Sequence, residues 1–140
     1  MIDDLNSSED GIIVQLPLPE GLEGVLNHIL PENDVDGRHP VTLGRRVQGK
    51  PGMRPSTPAG IVELLYRSGN DPGGKNIVVV GRSTIVGKPL SLLLSRKGVD
   101  ATVTVCHSRT SSLQNFCKEA DILVVATGNP GTAVSYTHLR

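Results

Sequence analysis

The sequence predicts an α/β protein built around a doubly wound parallel sheet, and three observations carry that prediction. Short β-branched runs alternate with amphipathic segments from residue 57 onward; the connections between them are brief; and Gly or Pro punctuates nearly every junction. With hydrophobic residues at 37% and only 16 glycines and 10 prolines among 140 residues, the composition is that of a folded chain, below the ~25–30% Gly plus Pro share that marks low complexity. No internal repeat is present.

In chain order, Gly11-Ile-Ile-Val-Gln-Leu16 is a continuous apolar run ended by Pro17 and Pro19, which predicts a strand buried on both faces. Leu22, Val25, Leu26, Ile29 and Leu30 recur at helical spacing and predict a helix over 21–30, stopped by Pro31. Residues 31–40 are turn-forming, and 41–56, rich in Gly, Pro and basic side chains, predict a linker without periodicity. Thr57-Pro58 supplies an N-cap hydroxyl followed by proline at the first helical position, with Ile61, Leu64 and Leu65 on one face up to Gly69. A turn at Asp71–Gly74, a strand at 75–80, a loop at 81–87 and a helix at 89–96 follow. Next come a strand at 101–106, a helix around Leu113, Phe116 and Cys117, and a strand at 121–126. The β-α-β-α-β order with short links favours right-handed crossovers and a parallel sheet.

Several function classes are disfavoured. Fourteen basic residues balance fourteen acidic ones, and two Tyr, one Phe and no Trp offer no stacking platform, so neither a nucleic-acid footprint nor a nucleic-acid partner is expected. No apolar run approaches the ~20 residues of a membrane helix, so no membrane partner is expected. The polar, acidic residues 1–11 do not resemble a secretion signal, and the two cysteines, Cys106 and Cys117, make neither a C-x-x-C pair nor a zinc spacing. A reducing, cytoplasmic location is the expectation.

The loop Gly81-Arg-Ser-Thr-Ile-Val-Gly87 leaves a buried strand and enters a helix, where bare backbone N–H groups can hold a pyrophosphate. Gly-x-Gly-x-x-Gly itself is absent, so a tight turn in a nucleotide-free domain stands beside the dinucleotide reading. The second strand ends Cys106-His-Ser-Arg-Thr110 with no carboxylate. An acid there would accept from the ribose 2′-hydroxyl of NAD, whereas Arg82, Ser108 and Arg109 suit a 2′-phosphate, so a bound dinucleotide is expected to be NADP. For Ser108 and Arg109 the alternative is a solvated strand end and helix cap. Gln15 and Asp36 could face a ligand crevice, or could satisfy local backbone and form a turn with Gly37, respectively. His107 beside Cys106 makes no workable metal site, His28 and His39 read as surface residues, and no nucleophile-elbow spacing occurs.

Taken together, Gly11-Ile-Ile-Val-Gln-Leu-Pro-Leu-Pro19, Pro31-Glu-Asn-Asp-Val-Asp-Gly37, Thr57-Pro-Ala-Gly60, Val79-Val-Gly-Arg-Ser-Thr-Ile-Val-Gly-Lys-Pro89 and Ala101-Thr-Val-Thr-Val-Cys-His-Ser-Arg-Thr110, followed by Ala120-Asp-Ile-Leu, resemble one family, the bifunctional methylenetetrahydrofolate dehydrogenase/cyclohydrolases. The stretches occur in the family's order and cover roughly residues 2 to 130. The resemblance implies two α/β domains with folate in the cleft between them. Residues 1–50 would be the last part of the folate-binding domain plus linker, and 51–140 the first part of a Rossmann-like NADP-binding domain. It implies oxidation of 5,10-methylenetetrahydrofolate by hydride transfer to NADP, then hydrolysis to 10-formyltetrahydrofolate.

By the same resemblance, Val14, Gln15 and Leu16 contact folate, Gln15 tunes a catalytic lysine and Asp36 holds the pterin, which makes Gln15 and Asp36 the candidate catalytic residues. Gly81, Arg82, Ser83 and Ser108 bind NADP, Ser108 at the 2′-phosphate. No metal is implied, and the complete protein is expected to be a homodimer. Three departures stand out. The family's Tyr-x-x-x-Lys segment, which carries the lysine, has no counterpart in the ten residues before Gly11. Ser56 replaces a frequent cysteine, and Ala133 to Arg140 does not continue as the family does, so Tyr136 and His138 are given no functional weight. The chain therefore reads as an internal fragment, marginally stable and without cyclohydrolase activity of its own; the competing reading is a non-catalytic dinucleotide-binding or interaction module.

Overall fold

The computed structural model describes residues 1–129, 131 and 132; the tail from Ala133, with Tyr136 and His138, lies outside the described residues. The chain divides into two compact units, Met1–Ser56 and the residues from Thr57 on.

In the first unit, helix α1 (Ile2–Ser8) buries no residue. It is tied down by Asn6, whose side chain donates to the carbonyl of His28 at 2.7 Å and accepts from the Leu30 amide at 3.0 Å. The run from Gly11 to Leu16 is not a strand. Ile12 makes one isolated parallel bridge with Asp34, and its amide donates to Asn33 at 2.7 Å, while Ile13 and Leu16 remain exposed. An apolar run becomes a buried strand only when neighbours complete its ladder, and among the described residues Asp34 is the single bridge partner. The predicted helix at 21–30 is a 3-10 helix over Glu23–His28, shortened by Gly21 and Gly24, which propagate an α-helix poorly. Residues expected to be linker instead contain helix α2 (Pro40–Val47), with proline at its start and His39 as N-cap, Nδ1 accepting from the Val41 amide at 3.1 Å. Thr42 is its buried residue, Leu43 and Arg46 are half-buried, and Val41 and Val47 are exposed, so its inward face is mixed in polarity and carries no continuous apolar stripe to read from the sequence.

The second unit follows the expected order: α3 (Ser56–Arg67), β1 (Asn76–Val80), α4 (Gly87–Ser95), β2 (Thr102–Cys106), α5 (Leu113–Glu119) and β3 (Ile122–Val125). α3 begins one residue before the predicted Thr57 cap, within the ordinary scatter of helix ends. The sheet is parallel throughout, in the order β2-β1-β3, with Val79 opposite Val105 on one side and Val124 on the other. β1 is central and covered on both faces, which explains its unbroken Ile-Val-Val-Val run. Ile77 and Val79 pack with Leu90, Leu94, Val99 and Ala101, joined by Ile61, Val62 and Leu65 of α3. Val78 and Val80 pack on the other face with Cys106 and Cys117, joined by Leu113 of α5. Helices thus cover both faces, as the sequence predicts. Ile77, Val79, Leu90 and Leu94 are fully buried, and burial of each such side chain stabilises by about 1.5–3 kcal/mol.

Candidate dinucleotide and substrate sites

The three parallel strands end on the same side, and the connections leaving them form an open cavity of about 510 Å³. Gly81, directly after β1, sits between the other two strands. Its amide donates to the Cys106 carbonyl at 2.8 Å, and the Ala126 amide donates to Val80 at 2.8 Å. Gly81 has φ +124°, and a Cβ there would run into the Ala126 carbonyl; a Cβ on Gly87 would run into the carbonyl of Gly81. Glycine at both ends lets the loop fold back so that α4 begins against the strand end, and the cavity beside Gly81 and Arg82 keeps room for a ligand backbone.

Gly81, Arg82 and Ser108, three of the four expected cofactor residues, line this cavity together. The fourth, Ser83, is not among its lining residues: its Oγ accepts from the amides of Val86 at 3.1 Å and Gly87 at 3.4 Å, closing the turn that leads into α4. His107, Thr110, Thr127, Asn129 and Thr132 also line the cavity, and among the described residues none that line it is acidic. The His107 Nδ1 accepts from the Arg109 amide at 3.1 Å, and Thr110 Oγ1 accepts from the His107 amide at 2.9 Å. The turn after β2 is thus locked by its own side chains. Sequence reasoning passed over Thr127 and Asn129, although Thr127-Gly-Asn129 stands to β3 much as the loop at Gly81 stands to β1.

In the first unit, Asp34 and Asp36 have separate tasks. Asp34 is 3% exposed and spends both oxygens on backbone, Oδ1 accepting from the Arg38 amide at 3.0 Å and Oδ2 from the His39 amide at 2.7 Å. Asp36 is half-buried and faces Arg38, whose Nη1 lies 4.0 Å from its Oδ2 and donates to the Val14 carbonyl at 3.0 Å. Asp36 and the backbone of Val14 are therefore both within 4.0 Å of one nitrogen, which places two of the expected substrate residues side by side. Gln15 and Leu16 continue from Val14 and are exposed. Arg38 was not among the residues the sequence singled out, since the contact that fixes it is to a backbone carbonyl. Arg46 Nη2 donates to the carbonyls of Gly37 at 3.2 Å and Met53 at 2.7 Å. Burial pushes the Arg46 pKa down, Asp34 opposes this and Arg54 adds to it. Among the described residues no cluster of His, Cys, Asp and Glu could hold a metal ion, and no helix is long and apolar enough to cross a membrane.

Residues 55–136 match the family model described as the tetrahydrofolate dehydrogenase/cyclohydrolase, NAD(P)-binding domain. The chain belongs to this family. It is 55% identical over 134 residues to the bifunctional protein FolD of Agathobacter rectalis, a match that covers 93% of this chain and 47% of that protein. Among solved structures, a 5,10-methylenetetrahydrofolate dehydrogenase from the silkworm Bombyx mori superposes with a TM-score of 0.86 at 42% identity, over 92% of this chain and 49% of the other. The methylenetetrahydrofolate dehydrogenase-cyclohydrolase (FolD) of Trypanosoma brucei, solved with NADP cofactor and inhibitor, superposes with a TM-score of 0.84 at 39% identity, over 93% and 46%. The chain thus spans about half the length of the curated relatives it matches. Its parallel sheet with α3, α4 and α5 is the Rossmann-like part of the tetrahydrofolate dehydrogenase/cyclohydrolase fold.

Proposed function

We propose that the chain is the part of an NADP-dependent methylenetetrahydrofolate dehydrogenase/cyclohydrolase that carries the dinucleotide site and one edge of the folate site. On this reading the complete protein oxidises 5,10-methylenetetrahydrofolate to 5,10-methenyltetrahydrofolate and hydrolyses that to 10-formyltetrahydrofolate, in one-carbon metabolism. The observation that carries it is the cavity at the carboxyl ends of three parallel strands, lined by Arg82 and Ser108 and, among the described residues, by no carboxylate.

The residues present fit the dinucleotide. The Gly81 and Gly87 positions leave no room for a Cβ, as expected where backbone must turn tightly beside a pyrophosphate. Bound NADP supplies the hydride acceptor. Arg82 and Ser108 offer a guanidinium and a hydroxyl, the donor set that a 2′-phosphate selects and an NAD ribose does not need. Ser83 acts by holding the loop and the start of α4 in place. In the first unit, Asp36 accepts from the pterin ring and Val14 to Leu16 form the wall beside it. Gln15, whose amide does not titrate, acts on the lysine of the family's Tyr-x-x-x-Lys segment, which these 140 residues do not include; these residues alone are expected to hydrolyse methenyltetrahydrofolate no faster than buffer.

Residues 1–50 then belong to the folate-binding part and 51–140 to the NADP-binding part. A cytoplasmic homodimer completes the reading, to be checked on the complete protein by fractionation and light scattering. The deciding experiment titrates NADP and NAD into the chain, its Arg82→Ala variant and its Ser108→Ala variant. NADP should bind more tightly than NAD and lose affinity in both variants; identical weak binding throughout would overturn the cofactor assignment.

A further inference from the structure

We propose that Arg38 is a positioning residue for Asp36, holding that carboxylate beside the Val14 carbonyl while leaving both of its oxygens open to a ligand; this rests on the reading that Asp36 meets the folate ring. The two acids of Asp34-Val-Asp36 show the contrast. Asp34 has each oxygen engaged, by the Arg38 and His39 amides, whereas the Arg38 guanidinium approaches Asp36 only to 4.0 Å, too far for a hydrogen bond. At that separation the cation still attracts the carboxylate but consumes none of its lone pairs, as a bidentate pair would. The same Nη1 is fixed by the Val14 carbonyl at 3.0 Å, and the Arg38 side chain is only 11% exposed, so the guanidinium is restrained while Asp36 keeps 26% exposure.

Asp34 is part of the device, because its carboxylate orients the Arg38 backbone from which the guanidinium returns to Val14. A carboxylate held this way suits a planar heterocycle that presents adjacent N–H donors, the hydrogen-bonding edge of a 2-amino-4-oxo pyrimidine ring. A lysine has one compact ammonium in place of the planar fork and reproduces the arrangement only in part.

The test is a double-mutant cycle on the complete protein that contains these residues, with 5,10-methenyltetrahydrofolate and NADP titrated separately. Arg38→Leu should weaken folate binding about tenfold, a coupling of ordinary size for contacting groups, and Arg38→Lys should recover part of the loss. NADP binding should not change, and in an Asp36→Asn background Arg38→Leu should have no further effect. An equal loss with and without Asp36→Asn would overturn the proposal, because Arg38 would then act on structure alone. Folate binding that ignores Arg38 overturns it too. Folate binding by the complete protein that is unchanged in Asp36→Asn overturns the folate reading of Asp36, and the proposal with it. If circular dichroism shows Arg38→Leu unfolded, the cycle of Arg38→Lys with Asp36→Asn decides by the same criterion.

Discussion

The backbone carbonyl of Gly81 occupies the space that a side-chain carbon on Gly87 would need. The loop between them is therefore closed by contact between two backbones, and alanine at Gly87 must push them apart, at a cost of about 1–3 kcal/mol for overpacking. Gly81→Ala adds the strain of a positive φ to a collision with Ala126. Both variants should lower the urea midpoint and weaken NADP binding; an unchanged midpoint for Gly87→Ala would contradict this packing.

Ser83 should register in stability before it registers in affinity. Its hydroxyl accepts two amides at the entry to α4, so Ser83→Ala should cost about 1 kcal/mol, as for loss of an N-cap. Ser83→Thr, which keeps the hydroxyl, should lose less. Equilibrium unfolding in urea distinguishes the two, and equal midpoints for Ser83→Ala and the unsubstituted chain would show that these two hydrogen bonds carry no weight.

Cofactor selectivity should reside in Arg82 and Ser108. A hydrogen bond to a charged group contributes about 1.5–3 kcal/mol, roughly tenfold to a hundredfold in affinity. Ser108→Ala and Arg82→Ala should therefore weaken NADP by that order and leave NAD nearly unaffected, and Ser108→Asp should favour NAD. Competition titration against a fluorescent dinucleotide reads this directly.

Burial pushes the thiols of Cys106 and Cys117 up; Thr110 hydrogen bonding partly opposes this for Cys106, and the neighbouring Cys106 adds to it for Cys117. The folded state thus holds these protons more tightly than the unfolded chain. Their contribution to stability is complete below the unfolded thiol pKa of about 8.5 and is lost as pH rises from there through the higher folded values. Thermal midpoints should fall between pH 8 and pH 10, and fall less in a Cys106→Ala/Cys117→Ala variant. Alkylation by iodoacetamide at pH 8 should be slow until the chain is unfolded.

The second unit was legible because each element carries its own signal. The β-branched β1 run, the Leu90, Leu93 and Leu94 stripe of α4 and the turn residues between them state locally what the sheet requires globally. Gly81, Arg82 and Ser108 could be placed for the same reason, since strand ends in a parallel sheet converge on one edge. The first unit was harder to read. Gly11 to Leu16 carries a strand pattern whose single bridge partner among the described residues is Asp34, and α2 turns Thr42 and a half-buried Arg46 inward beside Leu43 while Val41 and Val47 face outward. Arg38 escaped notice because its partner at Val14 is a backbone carbonyl 24 residues away in sequence, and a carbonyl leaves no trace in residue identity.

The central position of β1 has a cost during synthesis. Both strands that cover its edges come later in the chain, the second after two further helices. Until they emerge, Ile77-Val-Val-Val80 is an uncharged β-branched run with both edges unpaired, the kind of segment that associates with other chains. Nascent polypeptides that stall before Ile122 should be the aggregation-prone species, and ribosome-bound chaperones should hold them until β3 closes the sheet.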